Sequence, residues 1–258
     1  MSMEVKDVYC RYGRSEILKG ISFCLHRGEV LFILGQNGAG KSTLLKCMLG
    51  LHKSYEGNIL LDGQDIRRFS PQQMARRTAY IPQTHQPRFD YPVMEVVLMG
   101  AASSIRAFSA PGSKMKHKAE QVLGELNISH LKDRGYMHIS GGERQLAIIA
   151  RALMQEASIL LMDEPVSSLD FGNQQRVLAA ARTLSKRGYG VAITSHHPEH
   201  AFLYADRVLV LEGGSVAALG TPAQVLTEAL LKRIYGIPVR LIDCVTDQET
   251  VRLCYPAK

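Results

Sequence analysis

The chain has 258 residues, 46% of them hydrophobic, and 31 Lys and Arg against 24 Asp and Glu give a net charge of +7. That length supports one large core, or a core with a subdomain. No apolar run approaches the roughly 18 residues needed to cross a bilayer, the first ten residues hold no leader-like segment, and five scattered cysteines without CxxC spacing argue against a disulfide framework and a zinc site.

The expectation is a cytoplasmic protein. Its basic residues occur in runs no longer than two, so they read as solvated surface with a bias toward a membrane rather than toward nucleic acid.

Alternation of apolar and polar residues in Val5-Lys6-Asp7-Val8-Tyr9 and Ile21-Ser22-Phe23-Cys24-Leu25 predicts antiparallel strands. Val30-Leu31-Phe32-Ile33-Leu34 is apolar throughout, as in a strand buried on both faces. It runs into Gly35-Gln36-Asn37-Gly38-Ala39-Gly40-Lys41-Ser42-Thr43, and residues 42–50 read as a helix ending at Gly50. Ser70 before Pro71 caps a short helix, and Thr78-Ala79-Tyr80-Ile81 is a strand stopped by Pro82. Residues 93–100 and 114–127 are helical in pattern. The stretch 103–113 between them, rich in Ser, Ala and Gly, is expected to be a surface loop.

Buried strands return at Ile159-Leu160-Leu161-Met162-Asp163, Val191-Ala192-Ile193-Thr194 and Val208-Leu209-Val210-Leu211, with helical segments between them. That alternation predicts an α/β fold with a mainly parallel sheet and helices on both faces, interrupted by a helix-rich insertion. From residue 221 the pattern is helices, then strands near 239–242 and 251–254.

The glycine loop fits GxxxxGK[ST] between a strand and a helix, the context a phosphate loop requires. Gly35, Gly38 and Gly40 let backbone N–H groups converge on phosphates, and the helix start adds positive potential. Lys41 supplies a cation, and the Ser42 hydroxyl suits Mg²⁺. Asp163 and Glu164 close a later buried strand, where doubly wound sheets bind ligands. Asp163 is expected to hold Mg²⁺ through water, and Glu164 to act as general base on the attacking water. Ser140-Gly141-Gly142 opens an apolar helix with small residues and free N–H groups, in the manner of the phosphate loop.

Over about residues 1–225 the chain resembles the ATPase subunits of ATP-binding cassette (ABC) transporters. Seven motifs fall in the family's order: Tyr12, which would stack on adenine; Gly35 through Thr43, including Asn37 and Ala39, as Walker A; Gln83 as the Q-loop; Ser140, Gly141 and Gly142 as the signature; Ile159 through Glu164 as Walker B; Ser168-Leu169-Asp170 as the D-loop; and His196 as the switch histidine. The signature is the specific element, since unrelated phosphate-loop proteins share Walker A and B.

The resemblance implies an ABC ATPase fold with an N-terminal antiparallel β-subdomain. It implies a helical subdomain inserted at about 84–157 and leaves a C-terminal extension, 226–258, packed on the core. It also implies hydrolysis of ATP with Mg²⁺, with Gln83 touching the metal and the water and His196 contacting the γ-phosphate. Asp170 and the signature would reach the nucleotide across a head-to-tail homodimer.

Its partners would be two transmembrane permease subunits and, indirectly, a substrate-binding protein, at the cytoplasmic face of the membrane and without nucleic acid. Glu143 departs from the family's LSGGQ, and Arg144 is expected to neutralise it. Asn173-Gln174 and residues 93–100 resemble importers of iron–siderophore, haem, cobalamin or molybdate cargo, and the segment Phe89-Asp90-Tyr91-Pro92-Val93 lies where a permease helix would dock.

Overall fold

Most of the motif residues sit on loops at one edge of a six-stranded sheet, and that sheet is made of the apolar runs. A computed structural model describes residues 2–83, 89–103, 112–245 and 250–257. Most of the expected loop at 103–113 lies outside the described residues. In chain order, β1 (Ser2–Tyr12) and β2 (Ser15–His26) form an antiparallel hairpin. β3 (Val30–Leu34) leads through the glycine loop into α1 (Lys41–Met48).

β4 (Tyr55–Leu61), β5 (Gln64–Asp65), α2 (Pro71–Ala75) and β6 (Thr78–Ile81) follow, then α3 (Val93–Leu98), α4 (Ser113–Glu125) and α5 (Gly141–Leu153). β7 (Ile159–Met162), α6 (Phe171–Lys186), β8 (Gly190–Ser195), α7 (Pro198–Tyr204), β9 (Arg207–Glu212) and β10 (Ser215–Gly220) complete the central part. α8 (Pro222–Val225), α9 (Glu228–Tyr235), β11 (Val239–Val245) and β12 (Thr250–Pro256) end the chain.

The main sheet has the order β10-β9-β3-β8-β7-β6. All its pairings are parallel except β10 on β9, an antiparallel edge that the apolar pattern does not reveal. A second sheet, β2-β1-β4-β5, is antiparallel throughout. The parallel strands β3, β6, β7 and β8 all end at the same edge. The loops after them therefore converge, as ligand-binding loops do in open α/β sheets.

β3 is wholly buried, and its alternate residues serve two cores. Val30, Phe32 and Leu34 join one with Leu160, Met162, Ile193 and Val210. Leu31 and Ile33 join the other with Leu161, Ala192 and Leu209. The period-two alternation of a strand buried on both faces produces this division. Helices lie on both faces, as expected, but the two faces are not equivalent. The first carries α3, α4, α5 and α6. The second is covered by α1, through Leu44, Leu45 and Met48, and by the antiparallel sheet, through Met3, Val5, Ile21 and Ile59.

The tail is packed rather than loose. Leu226, Leu231 and Ile234 belong to the first core. β12 lies against α7, and the Glu228 carboxylate accepts the Leu241 N–H at 2.9 Å and pairs with Arg240 at 3.1 Å.

Candidate functional site

The glycine loop follows a strand that cannot move without disturbing two cores. Gly40 is the N-cap of α1 at φ +97, a conformation costly for any residue with a Cβ. A Cβ there would also lie 2.8 Å from Leu18 Cδ2 and 3.1 Å from the Ile17 carbonyl, so only glycine lets the loop nest against β2. Lys41 is 4% exposed, and its Nζ donates to the carbonyls of Gly35 at 2.8 Å and Gln36 at 3.1 Å. Nζ also lies 3.3 Å from Glu164 Oε1. A buried ammonium is tolerable only when paired in this way.

Asp163 and Glu164 leave the end of β7 side by side and enter different surroundings. Asp163 is buried, and its Oδ1 accepts from Ser42 Oγ at 3.0 Å and from Thr194 Oγ1 at 2.8 Å. Its Oδ2 accepts from the Tyr80 hydroxyl at 3.3 Å. Burial first, and then the Asp163 charge, push the Tyr80 phenol up to about 12, so it stays a donor. Glu164 has φ +44, in the left-handed region. A non-glycine residue there is strained by about 1–3 kcal/mol, and the Glu164 N–H is held by Thr194 Oγ1 at 2.8 Å. Thr194 thus fixes both acidic residues at once.

Around the Glu164 carboxylate stand Lys41, Gln83 and His196. Gln83 Nε2 approaches Oε2 at 3.5 Å and donates to Ser167 Oγ at 3.1 Å. His196 Nδ1 lies 3.5 Å from the same oxygen, close enough for charge attraction but poorly aligned, so Nδ1 has no hydrogen bond. Desolvation, followed by the charge of His197, pushes the His196 imidazole below its usual range. The cleft over these groups has a volume of about 700 Å³ and is lined by loop residues 37, 38 and 40–43 together with Gln83, Glu164, Ser168 and His196. It presents backbone N–H groups, one cation, one carboxylate and one imidazole, a set suited to holding a polyphosphate and directing a water at it.

The hard-oxygen pair Ser42 Oγ and Asp163 Oδ1, already 3.0 Å apart, fits a magnesium ion. The other motif residues lie elsewhere. Tyr12 is half exposed, its ring 4.9 Å from that of His52 at a 55° tilt. Asp170 caps α6, accepting from the Asn173 N–H at 2.9 Å and Nδ2 at 2.8 Å. None of Ser140, Gly141 and Gly142 lines the cleft.

At the signature, Ser140 and Glu143 form a reciprocal cap. Ser140 Oγ accepts the Glu143 N–H at 3.3 Å, and Glu143 Oε2 accepts the Ser140 N–H at 2.8 Å. The partner of Glu143 is therefore the helix start itself rather than Arg144, with His130 Nε2 at 4.0 Å from its other oxygen. The Ser140 N–H holds the Glu143 carboxyl below the usual range. The spacing Ser-x-x-Glu before an apolar run signals this box. Sequence reasoning also misses Thr194, Tyr80 and Ser167, although a hydroxyl near the end of a mainly apolar strand marks the first two.

The family model for ABC transporters matches residues 18–167. The chain belongs to the ABC transporter family. Among ABC relatives, an uncharacterized ATP-binding protein of Haemophilus influenzae is 38% identical over 242 residues, spanning 94% of this chain and 92% of its own. The hemin import ATP-binding protein HmuV of Pseudoalteromonas translucida is 36% identical over 258 residues, at 96% and 98%. Among solved structures, a metal-chelate type ABC transporter in an inward-facing conformation has a TM-score of 0.89 at 31% identity, covering 100% of this chain and 97% of that one.

The fold is that of an ABC ATPase, and the chain is an ATP-binding transport ATPase of the import type. Such subunits work with transmembrane permeases. Among the described residues, no helix is long and apolar enough to cross a membrane.

Proposed function

We propose that this chain hydrolyses ATP in the cleft at the ends of β3, β6, β7 and β8 to drive import of haem or a closely related metal chelate. The observation that carries the hydrolytic part is the setting of Glu164, whose backbone is at φ +44 and whose carboxylate lies 3.3 Å from Lys41 Nζ and 3.5 Å from both Gln83 and His196. The cargo rests on the relatives named for hemin import, several at 36–39% identity over most of the chain, and on the metal-chelate type neighbour.

In this reading the loop residues Gly35, Asn37, Gly38, Ala39, Gly40 and Thr43 cradle the phosphates with Lys41, and Tyr12 offers a ring face to adenine. Ser42, Asp163 and Gln83 would hold Mg²⁺, which would neutralise charge on the terminal phosphates. Lys41 is the buried counter-ion of Glu164. An arriving polyphosphate competes for that ammonium and releases the carboxylate to take a proton from water. Gln83, on the far side of Oε2, orients that water, and His196 donates to the departing phosphate.

The signature of a second copy, with its Asp170, closes the cleft in a homodimer at the cytoplasmic face of the membrane, with two permease subunits and a substrate-binding protein completing the importer. Phe89, Tyr91, Met99 and Met137 are exposed, and Asp90 ties the first pair to the last through the Met137 N–H at 2.8 Å and His138 at 3.1 Å. The exposed surface of Phe89, Tyr91 and Met137 is suited to a permease helix.

The test is uptake. Cells lacking this chain should fail to grow on haem as sole iron source while still growing on ferrous salt. Growth on both would overturn the cargo, and rescue by Glu164→Gln as good as by wild type would overturn the role of hydrolysis.

A further inference from the structure

Behind the cleft, three imidazoles stand in file. The His196 ring lies 4.1 Å from that of His197 at a 39° tilt, and the His197 ring lies 5.0 Å from that of His200. His197 is the N-cap of α7 and is fixed twice, its N–H donating to Ser195 Oγ at 3.0 Å and its Nδ1 facing Glu199 Oε1 at 3.0 Å. A carboxylate at that distance sets the proton on Nδ1. Glu199 is in turn backed by the C-terminal extension, with Cys254 Sγ of β12 4.0 Å from its Oε2. His196 itself has no such anchor, since its Nδ1 lacks a hydrogen bond.

A catalytic imidazole without its own hydrogen bond needs another group to set its ring plane. We propose that His197, locked by Glu199, is a positioning residue for His196. It holds the switch imidazole beside Glu164 through the ring contact at 4.1 Å. The charged and titratable groups facing His196 are Glu164 from the end of β7, Lys41 from α1 and the neighbouring His197, with His200 beyond His197. Hydrogen bonding to Glu199 raises the His197 imidazole above its usual range. The C-terminal extension thereby reaches the cleft through two contacts, Cys254 on Glu199 and Glu199 on His197. The inference rests on the hydrolytic reading above for its kinetic test but not for its structural one.

The full chain is assayed for Mg-ATP hydrolysis as wild type, His197→Ala, Glu199→Gln and the double variant. The first should lower kcat about tenfold and the second about threefold, each with the KM for ATP within about twofold. Because Glu199 acts through His197, the double variant should be no slower than His197→Ala. Wild-type kcat in His197→Ala, or a double variant slowed by the product of the two effects, would overturn the proposal. Imidazole ¹H–¹⁵N spectra of the nucleotide-free chain should show the His196 signals moved by both single variants. Signals unmoved by Glu199→Gln would overturn it, even if His197→Ala proved unable to fold. A wild-type chain that hydrolyses no ATP would sink the function, and the spectra would still decide the positioning.

Discussion

Two glycine-bearing helix starts, those of α1 and α5, have the same kind of residues and opposite surroundings. At α1 the loop is enclosed: Lys41 is bonded to two loop carbonyls and paired with Glu164, and Ser42 is bonded to Asp163. At α5 the polar groups close on each other within four residues, and the N–H groups of Gly141 and Gly142 have no acceptor in the helix. The difference teaches what a single chain can build alone. One helix start is wired into a web of strand ends and is ready for phosphate before any arrives. The other is capped by its own residues, with Ser140 exposed and Gly142 buried against Asn173 of α6.

The sharpest way to break this contrast is Glu164→Gln, which keeps the shape of the α1 web and removes the base. Turnover should fall by more than about 100-fold, as expected for a lost general base, while equilibrium ATP binding persists. Hydrolysis within tenfold of wild type would refute the assignment.

Next comes Ser140→Arg in the Glu164→Gln background, which places bulk and charge on the exposed cap of that helix. ATP-dependent dimers seen by light scattering for Glu164→Gln alone should vanish, and their persistence would refute the in-trans site. A smaller effect is expected of Gly142→Ala, because its Cβ would lie 2.2 Å from Asn173 Cγ. Overpacking of α5 on α6 should cost about 1–3 kcal/mol in urea unfolding. An unchanged midpoint would mean that the two helices part easily there.

The smallest effect belongs to Glu143→Gln. The carboxyl of Glu143 is lowered in the fold, first by the Ser140 N–H. Its stabilisation is therefore present above the ordinary glutamate pKa of about 4.3 and fades as pH falls through the lowered value. The difference in thermal midpoint between wild type and variant should correspond to less than about 1 kcal/mol at pH 7, and it should disappear in acid. A gap that grows on acidification would contradict the capping role.

Much of the fold is legible because the period of burial is written into single strands. The unbroken apolar run at β3 announces a strand buried on both faces, and Gly35 through Thr43 announce the turn after it. What covers each face is harder to read. The antiparallel sheet shares with α1 a face that the alternation of elements assigns to helices alone, and β10 pairs by tertiary context rather than by an apolar pattern. The site divides in a similar way. Residues whose chemistry is unusual for their place, such as Lys41, Asp163 and Glu164, stand out. Thr194 does not, because a hydroxyl near the end of a strand is common, and its hold on the Asp163 carboxylate and the Glu164 N–H is visible only once β7 and β8 lie side by side. Tyr12 stands out by resemblance, yet its ring packs with His52 rather than lining the cleft.

The hydrogen bond from Gln36 Nε2 to the Ile234 carbonyl has a practical consequence. It joins the nucleotide loop to α9, far along the chain. Anyone trimming the protein for expression at the end of the family-like region would remove that acceptor, strip Leu231 and Ile234 from the first core and uncover α7 where β12 now sits. The shortened protein would thus carry a loosened phosphate grip together with an adhesive surface. Poor behaviour after such a truncation would then reflect the cut rather than the native enzyme.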